Sequence, residues 1–415
     1  MIIDAKKYSG KCMCGKKHTL STELCVIEAG CLKKIDEYLK QYGLVGHCTV
    51  VYDKNTYNAE GLVRPNADYE AILDPKNLHA NEYGVDLLWN QLPENTEFLI
   101  AVGSGTIHDI TRYCAYKKGI PFVSCPTAAS VDGFCSSVAA MTWEGAKKTL
   151  TAVSPKIVLA DLDVISEAPI NLAKSGFGDM IGKYIALADW KIANIVTGEY
   201  FCDRIHDIMM EATDAVKESS IGISQGDVAS YQKLIYGLLM SGLAMQMLGN
   251  SRPASGAEHH ISHLIEMAPD GIGISSDALH GEKVGVATLL ACVEYHRLAS
   301  SENIEWSDYP TITDEYLLNT FGNRLYKQLI AENEKDVAAG ITGEPISKRW
   351  KKIREILEAI PATEELSELY GKIGVKSTLA DIDVNKDKAE LLIETSPCVR
   401  NRLTLMRLRR ACRCE

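Results

Sequence analysis

Three of the ten histidines of the chain lie within five positions, in the stretch SGAEHHISH at residues 255–263. Imidazole binds divalent metals and transfers protons near neutral pH. On an α-helix His259 and His263 share a face because they are four residues apart, whereas His260 is rotated by about 100°. The spacing predicts one helix face with two functional imidazoles, and a third ring that points elsewhere.

The residues before the histidines predict where this helix begins. Ser255 is followed three residues later by Glu258, which is the spacing of a capping box, and Pro253 ends whatever precedes it. We therefore expect Ser255 to be the N-cap.

Two further candidates for metal binding flank this helix in the sequence. Asp179 lies in GFGDMIGKY, where it is expected to open a helix, and His280 lies in LHGEKVG, at a predicted helix start. One Asp and two His ligands with an open fourth position are typical of a catalytic divalent site. The alternatives, a capping Asp and a solvated pair of histidines, stay open because spacing does not show that three helices converge.

A phosphate-binding turn is suggested by AVGSGTIHDITRY at residues 101–113. Gly103 and Gly105 lie where a strand ends and a helix begins, and the first helical N–H groups there can bind an anion. Thr106 and Asp109 lie in the first turn. The third glycine of the common dinucleotide-binding fingerprint is missing, so a tight turn without a ligand is the alternative.

Two carboxylates accompany this turn. Asp53 ends a predicted strand, where it could bind a ribose diol and favour NAD over NADP, or could simply form a turn. Asp132 lies in PTAASVDGFCSS, residues 126–137, a stretch of small hydroxyl residues suited to phosphate and ribose. Asp132 could bind a substrate hydroxyl, and a plain polar loop is the alternative.

The elements around these motifs predict two domains. Strands are expected at residues 23–28, 48–53, 97–103, 121–126 and 156–161, with a helix at 31–43 and a hairpin at 137–153. From about Ile170 the strand pattern gives way to helices, such as Tyr231 to Leu248 and Glu315 to Ala338. We expect an α/β nucleotide-binding domain at residues 1–168 and an all-α metal-binding domain at 169–415.

Composition narrows the class of function. Lys and Arg total 44 against 55 Asp and Glu among 415 residues, a net charge of −11 that argues against nucleic-acid binding. No signal-peptide pattern or run of roughly 18 to 20 apolar residues is present, which predicts a cytoplasmic protein without stable membrane insertion. The basic segment RNRLTLMRLRR at 400–410 is expected to be a solvated last helix.

The 13 cysteines are scattered and odd in number, which indicates thiols in a reducing compartment. Two groups stand out: Cys12, Cys14 and His18 in KCMCGKKH, and Cys412 and Cys414 in ACRCE. Neither has the four-ligand spacing of a structural zinc site, so chance thiols near the chain ends are the favoured interpretation and zinc binding is the alternative.

The motifs GSGTIHDITRY, PTAASVDGF, GFGDMIGKY, SGAEHHISH and LHGEKVG, in this order, resemble the sn-glycerol-1-phosphate dehydrogenases, especially their bacterial branch. That family is grouped with glycerol dehydrogenase, the iron-containing alcohol dehydrogenases and dehydroquinate synthase. The resemblance spans about residues 20–300. It implies the dehydroquinate synthase-like fold, with an N-terminal nicotinamide-binding α/β domain and a C-terminal helical domain that carries the metal.

The resemblance also implies roles for individual residues. Metal ligands would be Asp179, His259 and His280. His263 and Asp132 would be catalytic, and Asp132, Asp179 and His263 would face the substrate. The implied cofactor-binding residues are Asp53, Gly103, Gly105, Thr106, Ile107, His108, Asp109, Thr127, Ala128, Ala129, Ser130 and Ser136.

The reaction implied by the resemblance is reversible reduction of dihydroxyacetone phosphate to sn-glycerol 1-phosphate by NADH or NADPH, a step toward lipid backbones. It implies one divalent metal, zinc or nickel, and a homo-oligomer, expected to be a dimer. Arg252 and Lys183 are candidates to bind the substrate phosphate, because they lie beside the metal motifs.

Three rivals remain. Glycerol dehydrogenase shares the fold and the metal ligands, but its loop differs from PTAASVDGF. Dehydroquinate synthase is disfavoured because resemblance to that family would imply a Glu at the position of Asp179. The third is a non-catalytic metal-binding or nucleotide-binding relative.

Overall fold

The computed structural model describes residues 1–414, except for the side chains of Ala146 and Cys414. The chain divides into two compact units. The first comprises residues 1–180 and 214–250, and the second residues 181–213 and 251–415.

The first unit is built on a central sheet. The strands of this unit are β1 (Ile2–Asp4), β2 (Gly10–Lys11), β3 (Lys17–His18), β4 (Leu24–Glu28), β5 (Cys48–Asp53), β6 (Tyr69–Leu73), β7 (Phe98–Gly103), β8 (Phe122–Pro126), β9 (Val138–Trp143), β10 (Ala146–Thr151) and β11 (Ile157–Asp161). Seven of them form one sheet in the order β1-β4-β11-β8-β7-β5-β6. Only β1 is antiparallel to its neighbour.

Helices pack on both faces of this sheet. The helices of the first 181 residues are α1 (Ile35–Gln41), α2 (Lys54–Tyr57), α3 (Glu82–Trp89), α4 (Gly105–Lys118), α5 (Leu162–Ile165) and α6 (Ile170–Ile181). Val50 and Tyr52 belong to one buried apolar cluster, and Val51 between them belongs to another. Because side chains alternate along a strand, these clusters are the two faces of the sheet, the burial that a parallel sheet requires.

The second unit is almost entirely helical. It begins with α7 (Lys183–Thr197) and part of α8 (Asp203–Ser219), which continues into the first unit, where α9 (Ile221–Ser224) and α10 (Val228–Leu248) follow. The remaining elements are α11 (Ala257–Met267), α12 (His280–Ser300), β12 (Ile304–Trp306), α13 (Asp314–Phe321), α14 (Asn323–Asn333), α15 (Gly343–Glu358), α16 (Thr363–Ile373), α17 (Ala389–Thr395), α18 (Leu405–Leu408) and β13 (Cys412–Cys414).

The predicted fold class is confirmed, together with the five predicted strands and the hairpin. That hairpin pairs β9 with β10 around Glu144 and Gly145, which both have positive φ, as a type I′ turn demands. The helix expected at 31–43 begins with a 3-10 turn at Cys31–Lys34 before α1. Strands β1 and β6 of the central sheet were not predicted, and neither were the short strands β2, β3, β12 and β13.

Two predicted helices differ in the structure. The pattern from Glu315 to Ala338 is interrupted at Gly322, whose φ of 77° separates α13 from α14. The prediction that the basic tail is a solvated helix is wrong, because its α-helix spans only Leu405–Leu408 and Arg407 is fully buried. Its guanidinium bonds Asn333 at 3.1 Å and Asp336 at 2.5 Å, which offsets the cost of burying the charge.

None of the helices in the described part of the chain has the length and hydropathy that crossing a bilayer requires.

Candidate active site

The turn between β7 and α4 is tightly packed around its two glycines. A Cβ on Gly103 would lie 2.8 Å from the Cβ of Ile107, and one on Gly105 would lie 3.0 Å from Cγ2 of Val131. The helix starts at Gly105 with no side-chain cap on its first N–H groups. Such an N-terminus, at the carboxyl end of a central parallel strand, can bind a phosphate.

His108 of this turn is buried, and its ring is held inside the protein. Its Nδ1 donates to the Ser104 carbonyl at 2.9 Å, and its ring meets Phe134 edge-on at a centroid distance of 4.9 Å. Burial lowers the pKa of His108 to about 3, so the ring is neutral at pH 7. Any contact from this residue to a cofactor would therefore come from its backbone.

The loop after β8 lies at the same edge of the sheet. Gly103 pairs with Pro126, and Thr127 donates its N–H to the Gly103 carbonyl at 3.1 Å. Residues 128–130 and Ser136 are buried, whereas Thr127 is half-buried. The carboxyl ends of β7 and β8 thus bring the two predicted phosphate-binding stretches together.

Asp53 ends β5, two strands away from β8, and also caps a helix. Its carboxylate accepts from the Thr56 N–H at 2.8 Å, as the N-cap of α2. The side chain is half-buried, and a carboxylate accepts more than one hydrogen bond. The capping role therefore leaves acceptor capacity for a ribose.

Arg112 was missed by sequence reasoning, although it organises the loop that contains Asp132. The fully buried guanidinium donates to four backbone carbonyls of residues 133–138 at 2.5–3.1 Å. Its position three residues after Asp109 on α4, where the two side chains are 3.6 Å apart, was the available signal. Five fixed donors allow Arg to hold such a loop.

Asp132 and Asp179 are linked within the first unit. The Asp132 N–H donates to Oδ2 of Asp179 at 3.0 Å, and Oδ2 of Asp132 accepts from the Ser241 hydroxyl at 2.8 Å. Asp179 is fully buried near the end of α6, so the expectation that it opens a helix is wrong. A buried carboxylate requires a donor or a cation.

The helix of the second unit that carries the histidines begins one residue later than expected. Its N-cap is Gly256 and not Ser255, and Glu258 accepts from the Gly256 N–H at 2.8 Å. The predicted Ser255 cap is wrong because Asp189 supplies it from a distance, accepting from the Ala257 N–H at 2.8 Å.

Asp189 was also missed by sequence reasoning. Besides Ala257, its carboxylate accepts from the Tyr295 hydroxyl at 2.7 Å and from the Leu405 N–H at 2.8 Å. Burial raises the pKa of Asp189 to about 7 against these stabilising hydrogen bonds. One carboxylate therefore ties the start of α11 to α12 and α18.

Three imidazoles gather in the second unit, as helical spacing predicted for two of them. Ring centroids are 5.8 Å apart for His259 and His263, 5.4 Å for His259 and His280, and 5.9 Å for His263 and His280. His263, Glu266 and His280 offer ligand atoms within 4.8 Å of one another. Burial lowers the pKa of His263 well below its usual value.

Two of these rings are oriented by carboxylates. Nδ1 of His259 donates to Glu258 at 2.7 Å, and Nδ1 of His280 donates to Glu266 at 2.7 Å. In both rings Nε2 is then the nitrogen that can coordinate a metal, the usual arrangement in metalloproteins. These donor atoms fit a divalent ion such as zinc or nickel.

The two cations considered for phosphate binding are held in the second unit. Arg252 is buried and forms a bidentate pair with Glu199, both bonds at 2.8 Å, and Lys183 is buried with Nζ donating to the Ala254 carbonyl at 3.0 Å. The pair with Glu199 neutralises the guanidinium, so this geometry does not favour Arg252 as a phosphate ligand.

Replacing Glu266 with glutamine should weaken metal binding by about 10- to 100-fold, because the neutral amide no longer raises the basicity of His280. Equilibrium dialysis against a competing chelator measures this affinity. Glu344→Gln, at an exposed residue paired only with Lys348 four positions on among the contacts described, is the control and should leave it unchanged. Equal affinities in the two variants would contradict the role of Glu266.

Comparison with known proteins places the chain in a family. A model of iron-containing alcohol dehydrogenases matches residues 26–169. Glycerol-1-phosphate dehydrogenase (NAD(P)+) of Halalkalibacterium halodurans is 31% identical over 98% of this chain and 97% of that protein. The Bacillus licheniformis protein of the same name is 31% identical over 98% of this chain and 94% of its own.

A solved structure, a probable glycerol dehydrogenase from Sinorhizobium meliloti, has a TM-score of 0.61 at 18% identity and covers 93% of this chain and 94% of its own. This likeness shows the fold. Sequence identity above 30% along almost the whole chain shows the family as well, and the chain belongs to the glycerol-1-phosphate dehydrogenase family.

Proposed function

We propose that the protein reduces dihydroxyacetone phosphate to sn-glycerol 1-phosphate, reversibly, with NADH or NADPH. The observation that carries the proposal is the pair of carboxylate-oriented imidazoles, His259 and His280, in a chain 31% identical over 98% of its length to a named glycerol-1-phosphate dehydrogenase. Two imidazoles with fixed orientations are what a catalytic metal needs from one half of its ligand shell.

We propose His259, His280 and Asp179 as the ligands of one zinc or nickel ion. Fully buried Asp179 would contribute the anionic ligand, as the sequence resemblance implies. When bound, such an ion acts as a Lewis acid on a ketone oxygen. Glu258 and Glu266 keep the two imidazoles in the tautomer with Nδ1 protonated, which a metal at Nε2 requires.

The remaining substrate contacts are assigned to His263 and Asp132. His263 follows His259 by one helical turn and would relay a proton from water to the substrate oxygen, accepting it at one ring nitrogen and releasing one from the other. Asp132 accepts a hydrogen bond from a substrate hydroxyl, and its carboxylate is oriented by Ser241 at 2.8 Å. Misplacement by about 1 Å would cost roughly 10²-fold in rate, so this orientation matters.

We propose that the dinucleotide binds at the carboxyl edge of the sheet, within the first unit. The turn from β7 into α4, which includes Gly103, Gly105 and Asp109, would bind the pyrophosphate. Residues 127–130 and Ser136 would contact phosphate and ribose, and Asp53 the adenosine ribose. The nicotinamide supplies the hydride.

Location and assembly are proposed as cytoplasmic and dimeric. None of the twelve cysteines whose side chains are described forms a disulfide bond, which supports a reducing compartment. Size-exclusion chromatography with light scattering measures the oligomeric state.

The substrate assignment is tested by NADH oxidation with metal-loaded protein. We expect kcat/KM for dihydroxyacetone phosphate to exceed that for dihydroxyacetone by at least about 10-fold, because even one charge-assisted bond to phosphate contributes about 1.5–3 kcal/mol. The reverse ranking would identify a glycerol dehydrogenase. No oxidation of NADH or NADPH with either ketone would identify a non-catalytic relative.

A further inference from the structure

The N-terminal hairpin of the first unit brings together three side chains that the proposed reaction does not use. Cys12 and Cys14 lie in the turn between β2 and β3, and His18 is the last residue of β3. Their ligand atoms all lie within 4.8 Å of one another. Sγ of Cys14 is 3.4 Å from Nε2 of His18.

The backbone of the turn holds the two thiols on one side. Cys12 donates its N–H to the Lys16 carbonyl at 2.9 Å, and Gly15 donates its N–H to the Cys12 carbonyl at 3.0 Å. Gly15 has φ of +87°, a conformation that other residues rarely adopt. The chain therefore reverses directly after Cys14 and returns His18 to the thiols.

His18 is oriented by a second, independent contact. The ring is buried, with 2% of the residue exposed, and Nδ1 donates to the Met247 carbonyl at 2.8 Å near the end of α10. This bond fixes the tautomer, so Nε2 presents its lone pair toward Cys14. A histidine held by a backbone carbonyl through one nitrogen is the usual state of a metal-binding histidine.

We propose that Cys12, Cys14 and His18 bind a structural zinc ion, which closes the hairpin around the ring that His18 anchors to the C-terminal end of α10. Two thiolates and one imidazole are donors that zinc prefers, and two thiolates balance its charge. In a tetrahedral site with Zn–S of about 2.3 Å and Zn–N of about 2.0 Å, sulfur and nitrogen lie roughly 3.5 Å apart. The observed 3.4 Å matches this spacing.

Solvent access to the thiols and the low stability of the hairpin without a metal also support zinc binding. Cys12 and Cys14 are half-buried, so the ion can enter from solvent. The short hairpin β2–β3 pairs only two residues on each strand, and such a ribbon is marginally stable alone. Binding energy at the metal would stabilise it, with release of the two thiol protons.

Metal analysis of the purified protein distinguishes this site from the catalytic one. We expect Cys12→Ser and Cys14→Ser each to lose about one zinc per chain that His259→Ala retains. Cys412→Ser, which removes a half-buried thiol outside this hairpin, is the matched control and should keep full metal content. Near-ultraviolet circular dichroism checks that each variant is folded.

A spectroscopic readout makes the result independent of catalysis. Cobalt added to the demetallated wild-type protein should give a thiolate-to-cobalt charge-transfer band, which Cys12→Ser and His18→Ala weaken and His259→Ala preserves. Zinc content unchanged in both cysteine variants, or no such band in the wild type, would overturn the proposal and would indicate an ordinary thiol–imidazole hydrogen bond. Neither outcome affects the proposed dehydrogenase activity, which is measured separately.

Discussion

Replacing His259 with alanine should release the catalytic metal and lower kcat/KM for dihydroxyacetone phosphate by at least about 10³-fold. Loss of a Lewis acid removes several kcal/mol of stabilisation from the developing alkoxide, and about 4 kcal/mol corresponds to this factor. The change also leaves Glu258 buried without the imidazole that it binds at 2.7 Å. Elemental analysis and steady-state kinetics on the same preparation measure both effects.

The matched control is the neighbouring His260→Ala. His260 is buried on another side of α11, and neither of its ring nitrogens has a hydrogen-bond partner among the described residues. Burial lowers the pKa of His260 well below its usual value, so it acts as a neutral packing group. Truncation should lower stability by roughly 2–4 kcal/mol through the cavity it leaves, with metal content and activity at 25 °C nearly unchanged. Similar metal loss in the two variants would contradict the division of the histidines by helix face.

That division illustrates what can be predicted from sequence. The strands of the α/β unit are continuous apolar runs with clear ends, and residues four apart on a helix share a face regardless of the fold around them. The positions of the central strands and the grouping of His259 with His263 depend only on such local rules, and both were predicted from the sequence.

The residues that orient the site could not be predicted from local sequence rules. Glu266 reaches His280 across 14 positions, and Asp189 reaches Ala257 across 68. Local spacing cannot reveal a hydrogen bond formed between distant segments, so these partners were missed. The misplaced Ser255 cap has the same origin, because a distant carboxylate took the place of the local side chain.

The assignment of segments to the two units also could not be predicted from local sequence patterns. Residues 214–250 group with the first unit although they follow the start of the second. The helical periodicity of α10 is the same whichever core it packs against. Within the first unit Ser241 of α10 then meets Asp132, a contact that no local pattern could indicate.

Gly176 is a position at which the packing of the first unit leaves no room for a side chain. In α6 a Cβ at residue 176 would lie 2.0 Å from the carbonyl oxygen of Ala129, in the loop proposed to contact the dinucleotide. Since the neighbour is backbone, Gly176→Ala must shift the loop or the helix that carries Asp179. We expect a loss of about 3 kcal/mol of stability. Because a displacement of about 1 Å can lower the rate roughly 10²-fold, we also expect kcat/KM to fall by about 10²-fold.

Gly371→Ala is the matched control for this substitution. Gly371 is an exposed helical glycine of α16, and nothing lies within 4 Å of a Cβ placed there. Alanine should raise stability by up to about 1 kcal/mol and leave kinetics unchanged, because it lowers the entropy of the unfolded chain without meeting a neighbour. In thermal unfolding, Gly176→Ala should therefore be less stable than the wild type and Gly371→Ala more stable. In NADH titrations, only Gly176→Ala should bind the cofactor more weakly. If Gly176→Ala bound NADH as tightly as the wild type, contact between α6 and the residue 127–130 loop would not position the cofactor.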